Sequence, residues 1–342
     1  GENIGSDLEW DVAKAAVDLV LLNGVEQSSQ SVSLGFHGGG EPLLSNQMDL
    51  VKRVVEYFRQ NAESKGLKHT VNSVTNGVIS RRNIEWIVGN FDRLNISIDG
   101  PEDIQNKQRP MAGGQPSFAR VIDTIEYLEA KCFNYGIRAT ITDDSVYRMP
   151  EIVEFFNSIS SIKQFHLEPL FECGRCTTTS ARAPKPGDFL NYMIEARRVA
   201  EQLGVKIHYS SAKLGSNNTY FCGAAGKNFF VNPHGFVTTC LESCREDDKL
   251  AEIFLIGQYD SNKGIFVFDD AKISKLGART VDNMPYCSDC FSKYNCAGDC
   301  LAKVYVQGGS LTNPENNQRC MINRGLLLDE IRTTCLKLEV AK

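Results

Sequence analysis

The stretch "SVSLGFHGGGEP" at residues 31–42 decides the fold. Residues 31–37 read as a strand, and three glycines, an acid and a proline complete the stretch. Glycine lacks a Cβ and tolerates unusual dihedral angles, so this run lets the backbone approach a ligand closely. Its carbonyl and amide groups, together with Glu41, are able to grip a small polar group such as an ammonium. A glycine-rich turn is also common where nothing binds, so the neighbouring sequence has to decide between the two interpretations.

Helical and strand patterns alternate on both sides of this stretch. "SDLE" (Ser6–Glu9) has the form of a capping box and opens a helix that runs towards Leu22. Further helices are predicted at 46–62, 80–89, 117–131, 149–159 and 189–204, and further strands at 69–76, 93–100, 136–142 and 164–170. Strand–helix alternation with short apolar strands predicts an α/β protein with a parallel sheet, either open or closed into a barrel.

Unusual residues collect where the predicted strands end. These strand ends are His37–Pro42, Thr75–Gly77, Ser97–Gly100 and Glu168–Pro169. Ligands of parallel sheets bind at the carboxyl ends of the strands. One such end would be an ordinary turn, but four in succession predict a binding site at this edge of the sheet.

Composition excludes several classes of protein. A formal net charge of −5 and the lack of a long basic run argue against a nucleic-acid partner. No segment is apolar enough to cross a membrane, and the acidic, polar start "GENIGSDLEWDV" predicts a cytoplasmic protein without a signal peptide. Twelve cysteines without a secretory signal favour metal binding or redox chemistry over disulfides.

The cysteines cluster late in the chain. From residue 287 to residue 320 their spacing is C-x2-C-x5-C-x3-C-x19-C, and upstream Cys222 and a Gly235-x4-Cys240 motif flank a probable hairpin at 227–240. The rest of this region reads as long irregular sequence. Closely spaced thiolates suit an iron–sulfur cubane, which needs up to four of them around one centre. Zinc would use the same thiolates tetrahedrally and is the main alternative.

Together these motifs resemble a known family. The Gly-Gly-Glu-Pro after the strand, "TNG" at 75–77 and "SIDGPEDIQNKQRP" at 97–110 are similar to radical S-adenosylmethionine (SAM) enzymes, especially those that modify peptides and proteins. The resemblance implies that the methionine part of SAM is held by Gly39, Gly40, Glu41 and Pro42. It implies further that Ser97 and Asp99 lie near the ribose and that Arg109 binds the SAM carboxylate, with Asn76 and Glu168 completing the cofactor site.

The cysteine pattern resembles the SPASM domain, which carries two auxiliary [4Fe-4S] clusters in many radical SAM peptide maturases. The resemblance implies that the first cluster is held by Cys222, Cys240 and Cys300, and the second by Cys287, Cys290, Cys296 and Cys320. Either Cys244 is the fourth ligand of the first cluster, or one iron stays open for a substrate sulfur, which we favour. Cys173 and Cys176 fall outside the pattern. Three interpretations are open for them: a redox couple, a pair of metal ligands or two ordinary thiols. Cys132 and Cys335 are predicted to be buried small hydrophobes.

One element of the family is absent from the sequence. The C-x3-C-x2-C signature that holds the radical-initiating cluster does not occur in these 342 residues, and we expect it, with the first strand, ahead of Gly1. The predicted fold is therefore a partial (β/α)6 TIM-like barrel missing its first strand, followed by a SPASM domain. The expected boundaries are a barrel over 1–184, a linking segment over 185–221, the SPASM domain over 222–325 and a C-terminal helix over 326–342.

The resemblance implies a maturase that cleaves SAM to a 5′-deoxyadenosyl radical, abstracts hydrogen from a peptide or protein, and forms a thioether or carbon–carbon crosslink. Flavodoxin or ferredoxin is the expected electron donor. An alternative is anaerobic sulfatase maturation, in which Cys or Ser becomes formylglycine. Those enzymes place an acid directly after the cysteine of the Gly-x4-Cys motif, whereas Leu241 follows Cys240 here. Another alternative is a non-catalytic zinc or cluster scaffold that binds a leader peptide.

Overall fold

A six-stranded parallel sheet forms the first part of the molecule. The computed structural model describes residues 7–38, 40–172, 179–243, 245–315 and 317–340. Its strands run in sequence order, which is the arrangement of an open section of a β/α barrel. They are β1 Ser31–Phe36, β2 Lys68–Thr75, β3 Arg93–Ser97, β4 Tyr135–Ile141, β5 Gln164–Pro169 and β6 Lys206–His208. The predicted α/β fold with a parallel sheet is confirmed.

Helices cover the apolar face of this sheet. They are α1 Trp10–Glu26, α2 Met48–Ser64, α3 Arg81–Asn90, α4 Glu102–Gln108, α5 Phe118–Ala130, α6 Met149–Ile159 and α7 Pro186–Gln202. Alternate strand residues such as Leu94, Ile137 and Leu167 point towards them and are fully buried, against helix side chains such as Phe58 and Phe156. Successive side chains of a strand point to opposite faces, so the residues between them lie on the other side of the sheet.

That other side is polar and partly open. Ser97 on β3, Arg138 on β4, His166 on β5 and His208 on β6 are neighbours in register and form one row across four strands. All four are at least partly exposed, although the residues that flank them in their strands are buried. We call this surface the inner face, because it corresponds to the inside of a barrel.

The strand β6 and the start of the last helix differ from the sequence prediction. Three residues, "KIH", make up β6, which is too short to show an alternating pattern. It pairs in parallel with β5, so the strand–helix alternation extends beyond residue 200. The last helix, α12, runs over Arg319–Val340 rather than starting at 326, and Ile322 and Leu326 on it join the core of the first sheet.

A second, antiparallel sheet follows. Its strands are β7 Phe230–Val231, β8 Phe236–Thr238, β9 Leu255–Asp260 and β10 Ile265–Phe268, in the order β10-β9-β8-β7. The predicted hairpin at 227–240 is present as β7 and β8. The prediction of irregular sequence beyond it was wrong for β9 and β10, whose "LIGQYD" and "IFVF" segments pair across a turn. Short helices complete the region: α8 Ala251–Phe254, α9 Asp270–Gly277, α10 Lys293–Cys296 and α11 Leu301–Gly308.

Among the described residues, no helix is both long enough and apolar enough to span a bilayer.

Candidate cofactor and metal sites

The glycine-rich loop after β1 is braced by Glu41. One oxygen of its carboxylate accepts hydrogen bonds from the hydroxyl of Thr75 at 2.7 Å and from the backbone N–H of Leu43 at 3.1 Å. The other accepts from the backbone N–H of Asn76 at 2.6 Å. Burial raises the pKa of Glu41, although these hydrogen bonds partly oppose the shift. The side chain therefore ties the loop to the end of β2, and Gly40 beside it borders open space. Gly39 lies outside the described residues.

Gly38 connects this loop to the cysteine-rich region. It has a left-handed backbone with φ of +75°, and a Cβ added there would lie 3.0 Å from Cδ2 of Leu241. Both the dihedral angle and the close approach favour glycine at this position. The residue after Cys240 thus packs against the loop that leads into the Gly-Gly-Glu-Pro motif.

Asp99 and Arg109 form an ion pair at the end of β3. Nε of Arg109 lies 2.7 Å from one oxygen of Asp99, which is 2% exposed, and an Nη of Arg109 donates to the Thr140 hydroxyl. The other Asp99 oxygen accepts from the backbone N–H of Thr140, and Gln108 also donates to the carboxylate. Asp99 is therefore occupied within the protein, and the side chain of Arg109, 32% exposed, is the part that faces outward. Ser97 lies two residues away on the inner face.

Glu168, at the end of β5, is the centre of a buried ionic cluster. Its carboxylate contacts Arg319 at 2.9 Å, Lys303 at 3.5 Å and the hydroxyl of Ser210 at 2.7 Å, and on its other oxygen His166 at 3.2 Å. Burial alone would raise the pKa of Glu168, but Arg319, His166 and Lys303 together hold it well below its ordinary value. Arg319 and Lys303 belong to α12 and α11, so this cluster joins the sheet to the cysteine-rich region.

Of the first three predicted ligands, Cys240 lies close enough to Cys300 and to Cys222 for both to influence its thiol. Burial raises the pKa of the Cys240 thiol to about 12, and the neighbouring Cys300 and Cys222 add to the shift. Burial together with Asp299 raises the pKa of Cys300 to about 11. These thiols are neutral at ordinary pH, so metal binding here would release protons.

The other four predicted ligands line a single cavity. Cys287, Cys290, Cys296 and Cys320 all border one cavity of about 20 Å³ that is partly open to solvent. Burial raises the pKa of Cys296 to about 12 and that of Cys320 to about 11. Polar groups surround the sulfurs: the Asn323 side-chain amide lies 3.1 Å from Sγ of Cys296.

The loop between Cys296 and Cys300 separates the two groups of thiols. Its residues, 297–299, all have left-handed backbone dihedrals. The guanidinium of Arg279, 2% exposed, donates to the carbonyls of Ala297, Gly298 and Asp299, and its Nε donates to the carbonyl of Leu311. One buried side chain thus fixes the whole connection between the two groups.

The five cysteines outside these two groups were also the subject of predictions. Cys132 and Cys335 are exposed, so the prediction that they are buried was wrong: Cys132 follows α5 in a left-handed turn, and Cys335 lies on the outer side of α12. Cys173, Cys176 and Cys244 fall outside the described residues. Within the described ranges, no three His, Cys, Asp or Glu side chains are close enough to hold one metal ion.

Sequence reasoning missed the polar row on the inner face. Arg138, His166 and His208 occupy alternate positions of strands and point away from the helices. Burial and the charge of Arg138 lower the pKa of His37, and burial and the charge of Lys213 lower that of His208. The sequence did contain a signal for this row: each of these strands has a charged or imidazole side chain between apolar residues, which indicates a strand with one polar face.

Two curated relatives resemble the chain in sequence. A serine-type anaerobic sulfatase-maturating enzyme of Bacteroides thetaiotaomicron is 24% identical over 140 residues, covering 39% of this chain and 31% of the relative. A cysteine-type anaerobic sulfatase-maturating enzyme of Clostridium perfringens is 27% identical over 138 residues, covering 39% of this chain and 37% of the relative. The chain therefore spans about a third of the length of these relatives, and no protein-family model matches it.

Solved structures match over nearly the whole chain. A histidine-tagged anSMEcpe with bound AdoMet has a TM-score of 0.75 at 19% identity, covering 97% of this chain and 87% of that one. The resemblance to radical SAM enzymes with a SPASM-type domain is confirmed. A structure of native anSMEcpe with bound AdoMet and the Cp18Cys peptide has a TM-score of 0.72 at 18% identity, covering 98% and 92%. At these identities the likeness to the solved structures establishes the fold alone.

Proposed function

We propose that this chain is the SAM-binding and auxiliary-cluster part of a radical SAM maturase that modifies a peptide or protein. The observation that carries the proposal is that four of the seven cysteines line one cavity, while Cys240 lies near Cys222 and Cys300. The fold match and the curated sulfatase-maturase relatives support the same family of reactions. Peptide-bound anSMEcpe supports a peptide or protein as the substrate class.

The loop after β1 and the end of β3 are the proposed SAM site. Gly40 opens onto free space where the amino group of SAM would bind, and Glu41 holds the loop in place from behind. Asp99 and Thr140 orient Arg109, whose exposed part would meet the SAM carboxylate. When bound next to a reduced iron–sulfur cluster, SAM supplies a 5′-deoxyadenosyl radical that abstracts hydrogen.

The cysteine groups are the proposed ligands of two auxiliary [4Fe-4S] clusters. Cys222, Cys240 and Cys300 would hold one, with Cys244 or an open iron completing it, and the four thiols around the cavity would hold the other. Four closely placed thiols around one cavity suit an iron–sulfur cubane, and the seven-cysteine pattern favours this group over zinc.

We propose a thioether or carbon–carbon crosslink as the product. Leu241 supports this choice, since it follows Cys240 and packs against Gly38 at the entrance to the SAM site, where sulfatase maturases place an acid. An apolar side chain at this position suits a substrate residue that needs no ionised partner there.

Sulfatase-type oxidation of Cys or Ser to formylglycine is the second candidate. The observation in its favour is that both curated relatives are anaerobic sulfatase-maturating enzymes. Both candidates need the same radical step, and they differ in what happens to the substrate afterwards.

The experiment is an anaerobic assay of the complete gene product with reconstituted clusters, SAM, and a reductant or reduced flavodoxin or ferredoxin. Formation of 5′-deoxyadenosine is expected, and its absence would overturn the radical SAM proposal. Cysteine-containing peptides then separate the two products. A crosslinked peptide loses two hydrogen atoms and does not react with an aminooxy probe, whereas formylglycine is an aldehyde and does react.

A further inference from the structure

The proposed reaction needs a base. A crosslink between a C–H carbon and a thiol, or formylglycine formation, removes one hydrogen atom, one proton and one electron from the substrate. In the proposed function the 5′-deoxyadenosyl radical would take the hydrogen atom and an auxiliary cluster, as the oxidant, would take the electron, so the proton needs an acceptor among the residues of the protein. Leu241 occupies the position at which sulfatase maturases carry an acid.

We propose that His166 on the inner face of the sheet is this base and that Glu168 positions it. The inference rests on the proposed function, because it assigns a residue to that reaction. The proton of the substrate thiol passes to a ring nitrogen of His166, while the new bond to carbon forms and the surplus electron leaves.

The location of His166 suits the role. It lies on β5, in register with Arg138 on β4, which in turn is in register with Ser97 on β3. Ser97 belongs to the proposed SAM site, so His166 lies two strands from it on the same face. Its side chain is 32% exposed, which leaves it accessible to a bound peptide.

Contact with Glu168 defines the tautomer of His166. Nε2 of His166 lies 3.2 Å from an oxygen of Glu168. That carboxylate is ionised at neutral pH: burial alone would raise its pKa, but the charge of Arg319, the hydrogen bond from His166 and the charge of Lys303 hold it well below the ordinary value. An ionised carboxylate only accepts hydrogen bonds, so Nε2 carries the proton and Nδ1 carries the lone pair. A carboxylate that fixes an imidazole in this way is a recurrent arrangement of general bases.

The surroundings hold Glu168 rigidly. Arg319, itself paired with Asp299 at 2.9 Å, and the hydroxyl and N–H of Ser210 fix both carboxylate oxygens. The charged or titratable groups that face the pair are Arg138 on β4, His208 on β6, Lys303 on α11 and Arg319 on α12. This largely positive environment stabilises the carboxylate, so the base does not depend on a mobile partner.

The first test uses the complete gene product carrying His166→Gln, with His69→Gln as the matched control. His69 makes the same kind of contact, Nε2 to Glu63 at 3.2 Å, but at the amino-terminal end of β2. We expect His166→Gln to keep forming 5′-deoxyadenosine while peptide product falls by about 10²-fold or more. The His69→Gln control should form 5′-deoxyadenosine and peptide product as the unmutated protein does. Full product formation by a folded His166→Gln variant would overturn the inference, whereas loss of 5′-deoxyadenosine in the unmutated protein would instead overturn the proposed function.

A second test needs no activity. In ¹⁵N-histidine NMR spectra of the cofactor-free gene product at neutral pH, His166 should appear as the Nε2–H tautomer, and Glu168→Gln should remove that preference. The His166 signal is assigned by its loss in His166→Gln. An Nδ1–H tautomer, or a preference unchanged by Glu168→Gln, would overturn the positioning role of Glu168 even if the variants for the first test fold poorly.

Discussion

The parallel sheet and the cysteine-rich region are held together by different interactions. In the sheet and its helices, one continuous apolar core extends from Ala13 to Leu326. In the cysteine-rich region the apolar clusters are small, and the deeply buried groups include Arg279 and Asp299. The first region is stabilised mainly by burial of apolar surface. The second is stabilised by polar contacts and, in the proposed function, by the metal clusters that its thiols would bind. Loss of metal should therefore affect them unequally.

The largest expected effect tests the apolar region. Phe156 is fully buried between α6 and the sheet, against Phe165. Phe156→Ala should lower the free energy of unfolding by about 3–5 kcal/mol, because it removes buried apolar contacts and leaves a cavity. Urea unfolding with and without iron measures this, with the exposed Leu336→Ala, at 62% exposure, as the control. A change below about 1 kcal/mol would contradict the assignment of this core.

A substitution in the cysteine-rich region should have a slightly smaller effect on the free energy of unfolding. Arg279→Gln should cost about 2–4 kcal/mol in the cofactor-free protein, since up to four buried carbonyls lose their donor. It should also lower the iron bound on reconstitution, because residues 297–299 connect both groups of thiols. Arg81→Gln, which removes an exposed i,i+4 pair with Glu85 and a stacking contact with Tyr127, is the control and should cost under about 1 kcal/mol. If the Arg279→Gln variant kept both wild-type stability and wild-type iron content, the conclusion that Arg279 fixes the connection between the two groups of thiols would be wrong.

A third prediction concerns the proposed SAM site. Asp99→Asn weakens the partner that orients Arg109, so SAM affinity should fall by about tenfold, equivalent to about 1.4 kcal/mol. Equilibrium dialysis with labelled SAM measures it. Asp103→Asn, which alters an exposed ion pair with Arg148, is the control. Unchanged affinity in Asp99→Asn would argue that Arg109 does not contact the cofactor.

The smallest effect is expected in mild acid, at the joint between the two regions. Buried ion pairing with Arg319 depresses the pKa of both Glu168 and Asp299 below their ordinary values of 4.5 and 3.8. A depressed folded-state pKa gives stability that is complete above the unfolded pKa and is lost as pH falls towards the folded one. Urea midpoints should therefore change little from pH 7 to about 5 and fall steeply below. Glu168→Gln should flatten this fall, and an identical pH profile in that variant would contradict the prediction.

The sheet was largely predictable, because its strands and helices show regular apolar periodicity. The strand β6 was not predicted because its three residues are too few to show an alternating pattern, and the short helix α4 was missed for the same reason. Long-range pairing explains the rest. Nothing in the sequence brings Glu168 to Arg319, which lies 151 residues further along the chain, so the buried ionic cluster could not be predicted, and a role of Glu168 in binding SAM stays a prediction. The division of the cysteines came from a motif, whereas the role of Arg279 required coordinates.

The central claim is that the cysteines form two separate iron–sulfur sites, and metal analysis tests it most directly. After anaerobic reconstitution, Cys222→Ala/Cys240→Ala and Cys287→Ala/Cys290→Ala should each lose about four iron and four inorganic sulfide per chain, and the quadruple variant about eight. Zinc without sulfide in the unmutated protein, or loss of all iron from either double variant, would contradict two separate clusters.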